Sequence, residues 1–502
     1  MKRFVTLALV SALVLGASSI VYANVCAFDA VPAATILFPF VALDYNNPLT
    51  GTSTTFSITN VSAEAQVVHV TVWTDFSAAI LDFNILLTGY DVISMNIREI
   101  LVNGQLPVTL YQANPATAGV AVNGPVSAAN TLNGSWLNPG MDPPQPTIDL
   151  GTRCDTTNSS YPGLYATPIP PGFLGLFQDY LQVSQTVDRQ HSNDCFKPYD
   201  DPYTLTPEPF WAERDTTYPT WMYITADVVE NCNKLFPDAF GYFTSEVRFD
   251  NVLIGDVFWT NTAERFSEAS NAVHLEADLD LGAVATTAPS GFPVSFYHRY
   301  AVVNEGVSDF REPLPTAWAF RYLGAGIDNI GTDVRVWKGS SAVNWTYDLE
   351  RVGAVAVSPD ALVASNCHAY TYYAWDEDEN VTTVSTVPWS MPGGESVIPN
   401  LIPLETQEVP IDQFDTPGVF GWMLFVWPAS NYPPGAPMDN FDDYYQTWMG
   451  VKYGAFGSYS AAMDGAVLAN FNCFSDQVYP GLGMNYPYVE PLNGYRVSPA
   501  LP

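Results

Sequence analysis

The chain has 502 residues and a net charge of −34, although only 14% of its residues are charged, because 18 Lys and Arg stand against 52 Asp and Glu. A surface so short of cations does not bind nucleic acid, whose phosphates need clustered Lys and Arg. It is also repelled by anionic membranes.

In chain order, residues 1–23 read as a secretory signal. Lys2 and Arg3 form the basic start, Phe4 to Ile20 the apolar stretch, and Val21-Tyr22-Ala23 places a cut after Ala23. No later segment is apolar over about 18 residues, so no transmembrane segment is expected after cleavage. The expected location is the periplasm, the cell surface or the medium. Six cysteines remain, an even number suited to disulfides in an exported chain. The pairing expected from their distribution is Cys26–Cys232, Cys154–Cys195 and Cys367–Cys473.

The mature chain reads as all-β. Phe56 and Ile58 alternate with Thr55, Ser57 and Thr59. Val68, Val70 and Val72 share one face of the next strand, with His69, Thr71 and Trp73 on the other. Residues 81–85 and 91–97 alternate as well. The chain's 40 prolines and 34 glycines punctuate these runs with turns. Helical spacing is confined to Gly172–Val187 and Thr262–Ser270.

Segments of the first half return in order in the second, as expected of a duplicated architecture. Leu37-Phe38 is answered by Phe296-Tyr297, and 54–58 by 332–336. Residues 70–75 are answered by 372–377, and 220–224 by 421–425. Residues 254–258 with Ala272-Val273 are answered by 449–453 with Ala466-Val467. Trp73 and Trp221 are 148 residues apart, but Trp375 and Trp422 only 47. The excess falls on a Pro-, Gly- and Asn-rich stretch, read as an insertion over about 111–217 stapled by its own disulfide. The expected architecture is therefore two tandem related antiparallel β-sandwich domains with long loop insertions. The first spans 24–285 and the second 286–480, followed by a tail over 481–502.

Several stretches are similar to a group of exported bacterial β-rich proteins with no assigned function. They are Leu37-Phe38-Pro39-Phe40 leading to 55–60, Val68 to Trp73, Leu87 to Val92, and Arg311-Glu312-Pro313-Leu314. The resemblance implies export, and it brings no catalytic residues with it.

Motifs for catalysis are missing. There is no Gly-x-Ser-x-Gly, no His-Glu-x-x-His and no phosphate-cradling Gly-Lys-Ser/Thr loop, and the five histidines are scattered. The leading expectation is a non-enzymatic exported protein that binds carbohydrate or a cell-surface protein, with no cofactor. Its candidate binding residues are the large aromatics Trp73, Trp375, Tyr373, Trp318 and Trp211, whose apolar faces can stack on sugar rings. One alternative is a secreted carbohydrate-active hydrolase using paired carboxylates, drawn from Glu264, Glu268, Glu276, Asp278 and Asp280. Another is a calcium-stabilised adhesion protein, with Asp376, Asp378 and Glu379 as oxygen ligands.

Overall fold

The computed structural model describes residues 31–75, 77, 79–107, 128–130, 169, 171–181, 219–230, 235–277, 295–297, 300–301, 305–312, 314–315, 317–324, 330–339, 370–385, 401–402, 404–427, 446–455 and 459–467. All six cysteines, Trp211, Asp278, Asp280, residues 1–23 and residues 481–502 fall outside these residues, as does most of 111–217.

The fold is all-β and antiparallel. The first half supplies β1 (Thr35–Leu43), β2 (Thr52–Asn60), β3 (Gln66–Thr74), β4 (Ala79–Leu87), β5 (Val92–Asn96), β6 (Ala128–Asn130), β7 (Thr220–Val229), β8 (Leu253–Asn261), β9 (Phe266–Asn271) and β10 (Val273–Leu275). They form a six-stranded sheet in the order β10-β1-β7-β3-β4-β6 and a four-stranded sheet in the order β5-β2-β8-β9. Among the described residues three short helices accompany them: α1 (Ile97–Leu101), α2 (Pro171–Leu181) and α3 (Tyr242–Ser245). Asn96 ends β5 and caps α1, accepting a hydrogen bond from the Arg98 N–H. In α2, Phe177 and Leu181 are buried one turn apart, the spacing that sequence periodicity anticipated. Residues 262–270 are instead a turn leading into β9. The exposed side chains on alternate positions of β9 suit a strand as well as a helix, and pairing with β8 decides between them.

The second half supplies β11 (Ala317–Leu323), β12 (Gly331–Lys338), β13 (Thr371–Asp376), β14 (Val381–Ser385), β15 (Thr406–Pro410), β16 (Phe420–Val426), β17 (Thr447–Ala455), β18 (Tyr459–Asp464) and β19 (Ala466–Val467). Its sheets run β14-β13-β16-β11-β19 and β15-β12-β17-β18. Matching β11 to β1, β16 to β7, β13 to β3, β14 to β4 and β19 to β10 reproduces the larger sheet of the first half, apart from β6. Matching β12, β17, β15 and β18 to β2, β8, β5 and β9 reproduces the smaller one.

The pairing registers refine the sequence matches. Trp73 lies opposite Tyr223, and Trp375 lies opposite Trp422. Tyr223, two residues beyond Trp221, therefore holds the place of Trp422. A shift of two leaves the side chain on the same face. Phe56 faces Val257 and Val334 faces Val451, a shift of one from the sequence match. The counterpart of Leu37-Phe38 is not 296–297 but Ala319-Phe320 in β11: Phe38 pairs with Ile224 as Phe320 pairs with Met423.

Hydrogen bonds recur at the corresponding places. Thr54 Oγ1 bonds to both N–H and C=O of Ala42, and Thr332 Oγ1 does the same at Leu323. Trp259 donates to the Phe40 carbonyl, and Tyr453 to that of Arg321. One difference is a bulge in β1 between Phe38 and Val41. It explains how Pro39 sits inside a central strand, because a bulge spares the missing ladder donor.

Each pair of sheets encloses apolar side chains. Ile36, Phe38, Val68, Val70, Val72, Ile224 and Phe83 form the inner face of the large first sheet, and Phe38 packs on Phe56 of the small one, with ring centroids 4.9 Å apart. In the second half Tyr372, Phe425, Phe320 and Met423 face Val334, Val336 and Met449. Most buried apolar residues of both halves join in one cluster, while Ala317, Leu424 and Val426 form a small separate one beside Tyr373 and Trp375. The halves meet because the outer face of the small second sheet packs on β1, β7 and β9.

Candidate functional site

The outer faces of the two large sheets differ in character. In the first half that face carries Thr35, Asp227, His69 and Asn84 in one row and Thr225, Thr71 and Asp82 in the next. All are buried. Asp227 is satisfied by Thr35 Oγ1 at 2.5 Å, Tyr242 Oη at 2.7 Å and Tyr297 Oη at 3.0 Å, with Arg311 at 3.7 Å. Arg311 also pairs with Asp309 at 2.7 Å. His69 Nδ1 lies 2.9 Å from Asn84 Oδ1, and Nε2 lies 3.5 Å from Asp82. Burial pushes the imidazole below its ordinary value, against the Asn84 hydrogen bond. This face is a buried polar layer covered by Tyr242 of α3 and by Tyr297, Tyr300 and Arg311.

Trp73 belongs to that layer. It stacks on Tyr223 at 5.6 Å and on Tyr300 at 5.8 Å, and its Nε1 donates to Thr225 Oγ1 at 2.9 Å. At 1% exposure it offers no surface for a ligand. Trp318 is likewise no platform. It points between the sheets, donates to Thr447 and is 3% exposed. Both are large apolar rings whose N–H finds an internal acceptor, which is why they pack inward.

The corresponding face of the second half is open in part. Trp375 and Trp422 stack face to face across β13 and β16, with centroids 3.9 Å apart and planes 9° apart. Tyr373 continues the stack at 5.7 Å and 22°. Trp422 is 38% exposed, and Phe420 and Val419 beside it are 39% exposed. Arg321 is opposite Trp422 on β11, and its guanidinium reaches over β16 to Glu377 at 2.8 Å. The geometry gives an apolar ridge two indoles thick, partly exposed at Trp422 and bordered by the Arg321–Glu377 ion pair. Trp375 and Tyr373 are thus brought together as the sequence anticipated. Trp422 and Arg321 were not singled out, although the place of Trp422 opposite Trp375, and of Arg321 opposite Trp422, becomes legible once register is known.

The hairpin after β13 uses its acids for its own turn. Asp376 accepts from the N–H groups of Asp378 and Asn380 at 2.9 and 2.8 Å and from Asn380 Nδ2 at 2.7 Å. Those donors, the Asn380 side chain foremost, hold its carboxyl below the ordinary value. Glu379 takes a positive φ of 64° to close the turn. Asp376, Asp378 and Glu379 are therefore not gathered into a shell. Among the described residues no group of three or more His, Cys, Asp or Glu side chains could hold a metal ion.

Of the carboxylates considered for hydrolysis, Asp278 and Asp280 lie outside the described residues. Glu268 is buried in an ion pair with Arg335, while Glu264 is exposed in the turn before β9. Among the described residues no helix is long and apolar enough to cross a membrane. No known protein family, characterised protein or solved structure matches the chain.

Proposed function

We propose that this is an exported, non-enzymatic binding protein built from two copies of one β-sandwich, and that the second copy holds a carbohydrate chain on the Tyr373–Trp375–Trp422 stack. The observation that carries the reading is the contrast between equivalent places. The Trp73–Tyr223 pair is capped by Tyr300, while the Trp375–Trp422 pair is left partly open. Large exposed aromatics lose contact with water only when something covers them, and a sugar ring presents a C–H face of suitable size. The matching strand orders, registers and hydrogen bonds support duplication. The basic-apolar-small pattern of residues 1–23 supports export.

The test is affinity electrophoresis of the mature protein through gels containing different polysaccharides. At least one should retard the wild type, and Trp422→Ala should abolish the retardation. Tyr90→Ala, which removes a ring 74% exposed on the first half, should leave it unchanged. Migration unaffected by every polysaccharide would overturn the reading.

A further inference from the structure

We propose that the aromatic ridge selects a cationic sugar chain, one whose units carry free amines, in preference to neutral or acidic glycans. This rests on the carbohydrate reading above and specifies its ligand. The hairpin continuing directly from Trp375 bears four consecutive carboxylates, Asp376, Glu377, Asp378 and Glu379. The cation set beside them, Arg321, is taken up by Glu377 at 2.8 Å. Asp376 remains ionised because its turn donors favour the charged form. With Glu377 taken up by Arg321 and Asp376 by its own turn, the exposed carboxylates of Asp378 and Glu379 are left at the tip of the hairpin that carries Trp375.

An ammonium group is attracted both to the face of an indole and to carboxylates nearby. A strand rises about 3.3 Å per residue, so the tip lies within about 10 Å of Trp375. One sugar ring does not span that distance, whereas a short chain can lay one unit on Trp422 and offer the next amine to Asp378 or Glu379. An acidic glycan meets the reverse of this complementarity, in a chain whose overall charge is −34. A neutral glycan gains only the stacking contact.

The experiment is isothermal titration of the full mature protein at mildly acidic pH, where the amines are charged. The probes are a glucosamine oligomer, its N-acetylated form, a glucose oligomer of the same linkage and length, and an oligolysine peptide. The glucosamine oligomer should bind about five- to tenfold more tightly than the two uncharged ones. High salt should remove that advantage, as should the double substitution Asp378→Asn with Glu379→Gln, which alters two exposed side chains. Trp422→Ala, checked for an unchanged melting transition, should weaken all three sugars. Equal affinity for charged and uncharged oligomers would overturn the charge selection while leaving carbohydrate binding intact. Binding of no sugar would overturn both. Oligolysine bound as tightly as the amine sugar, and dependent on Trp422, would replace the sugar with a basic protein segment as occupant.

Discussion

Trp73 and Trp375 occupy the same place on corresponding strands, and each stacks on the residue directly across from it, Tyr223 at 5.6 Å and Trp422 at 3.9 Å. The first pair is buried, with Tyr300 stacked on Trp73, whereas Trp422 of the second pair is 38% exposed.

That difference fixes opposite mutational outcomes. Trp73→Ala removes a fully packed ring and leaves Thr225 without its indole donor. It should cost about 3–5 kcal/mol in urea unfolding. Trp422→Phe should cost about 1 kcal/mol, the scale of one aromatic contact. The face-to-face indoles should also give an exciton couplet in the far-ultraviolet circular dichroism. Trp422→Phe or Trp375→Phe should each abolish the couplet, while Trp73→Phe should leave it. A couplet that survives both of the first two substitutions would contradict the stack.

Much of the fold was legible because strands alternate visibly. The valine face of 68–72 and the Phe56, Ile58 face read directly as inner surfaces. Strand order was less legible. Leu37-Phe38 resembles Phe296-Tyr297 in composition, but β1 is answered by β11, where Ala319-Phe320 shares little with it beyond one aromatic. A buried strand tolerates any side chains of suitable volume, so sequence similarity fades there before geometry does. The aromatic ridge was half legible. Trp375 and Tyr373 stood out by type, but Trp422 joined them only through long-range pairing. The polar layer around Asp227 was illegible, since its members come from four separate stretches of chain.

The seam between the halves depends on Arg335. Its guanidinium pairs with Glu268 of the first half and with Glu408 at 2.8 Å, and it lies over the rings of Phe40 and Trp259 at 4.7 and 4.4 Å. Lys452 bonds to Asp333 at 2.8 Å and to Glu408 at 3.3 Å. Arg335→Met leaves Glu268 buried without its partner and should cost about 3–5 kcal/mol. Arg335→Met combined with Glu268→Gln should recover part of that loss, since the stranded charge is gone. If the double variant is no more stable than the single one, the pair is not what makes Arg335 matter.

The same cluster predicts acid sensitivity. Burial raises the Glu408 carboxyl, but Lys452 and Arg335 outweigh it and bring it from 4.5 down to about 2. A depressed carboxyl contributes stability that is present above its unfolded value and lost as pH falls towards the folded one. The Glu408 contribution should therefore disappear between pH 4.5 and about 2. Glu268 acts in the opposite sense, because burial raises its carboxyl despite Arg335. Glu408→Gln should flatten the acid limb of the stability profile, and Glu268→Gln should steepen it. Parallel changes in the two variants would refute this division.

Lys338 predicts an alkaline effect. It is buried, its Nζ donates to the Ile402 carbonyl at 2.5 Å, and it lies 5.9 Å from the Trp427 ring centroid. Burial pushes its amine from 10.5 down to about 7, with Glu405 pulling the other way. The unfolded chain therefore binds more protons than the folded one between those values, and stability rises with pH across that window. The slope has an upper limit of about 1.4 kcal/mol per pH unit. Lys338→Met should remove this rise when unfolding free energies at pH 7 and pH 9 are compared. Identical slopes in wild type and variant would show that the lysine stays charged in the fold.

Gly421 explains how the exposed stack is built. It faces inward on β16 beneath Trp375, where a Cβ would stand 1.8 Å from the Trp375 carbonyl oxygen and 2.6 Å from Tyr322 Oη. Its counterpart in the first half is Met222, which pairs with Val41 just beyond the β1 bulge. In β11 the register is unbroken, and Tyr322 donates to the Trp375 carbonyl at 3.2 Å. Gly421→Ala must separate β13 from β16 and should cost about 3 kcal/mol, the upper range for overpacking. It should also weaken the indole couplet, because the strands carrying Trp375 and Trp422 move apart. Gly454→Ala meets nothing within 4 Å and should change stability by no more than about 0.5 kcal/mol. Equal effects of the two substitutions in urea unfolding would mean that close backbone approach at Gly421 does not set the spacing of the stack.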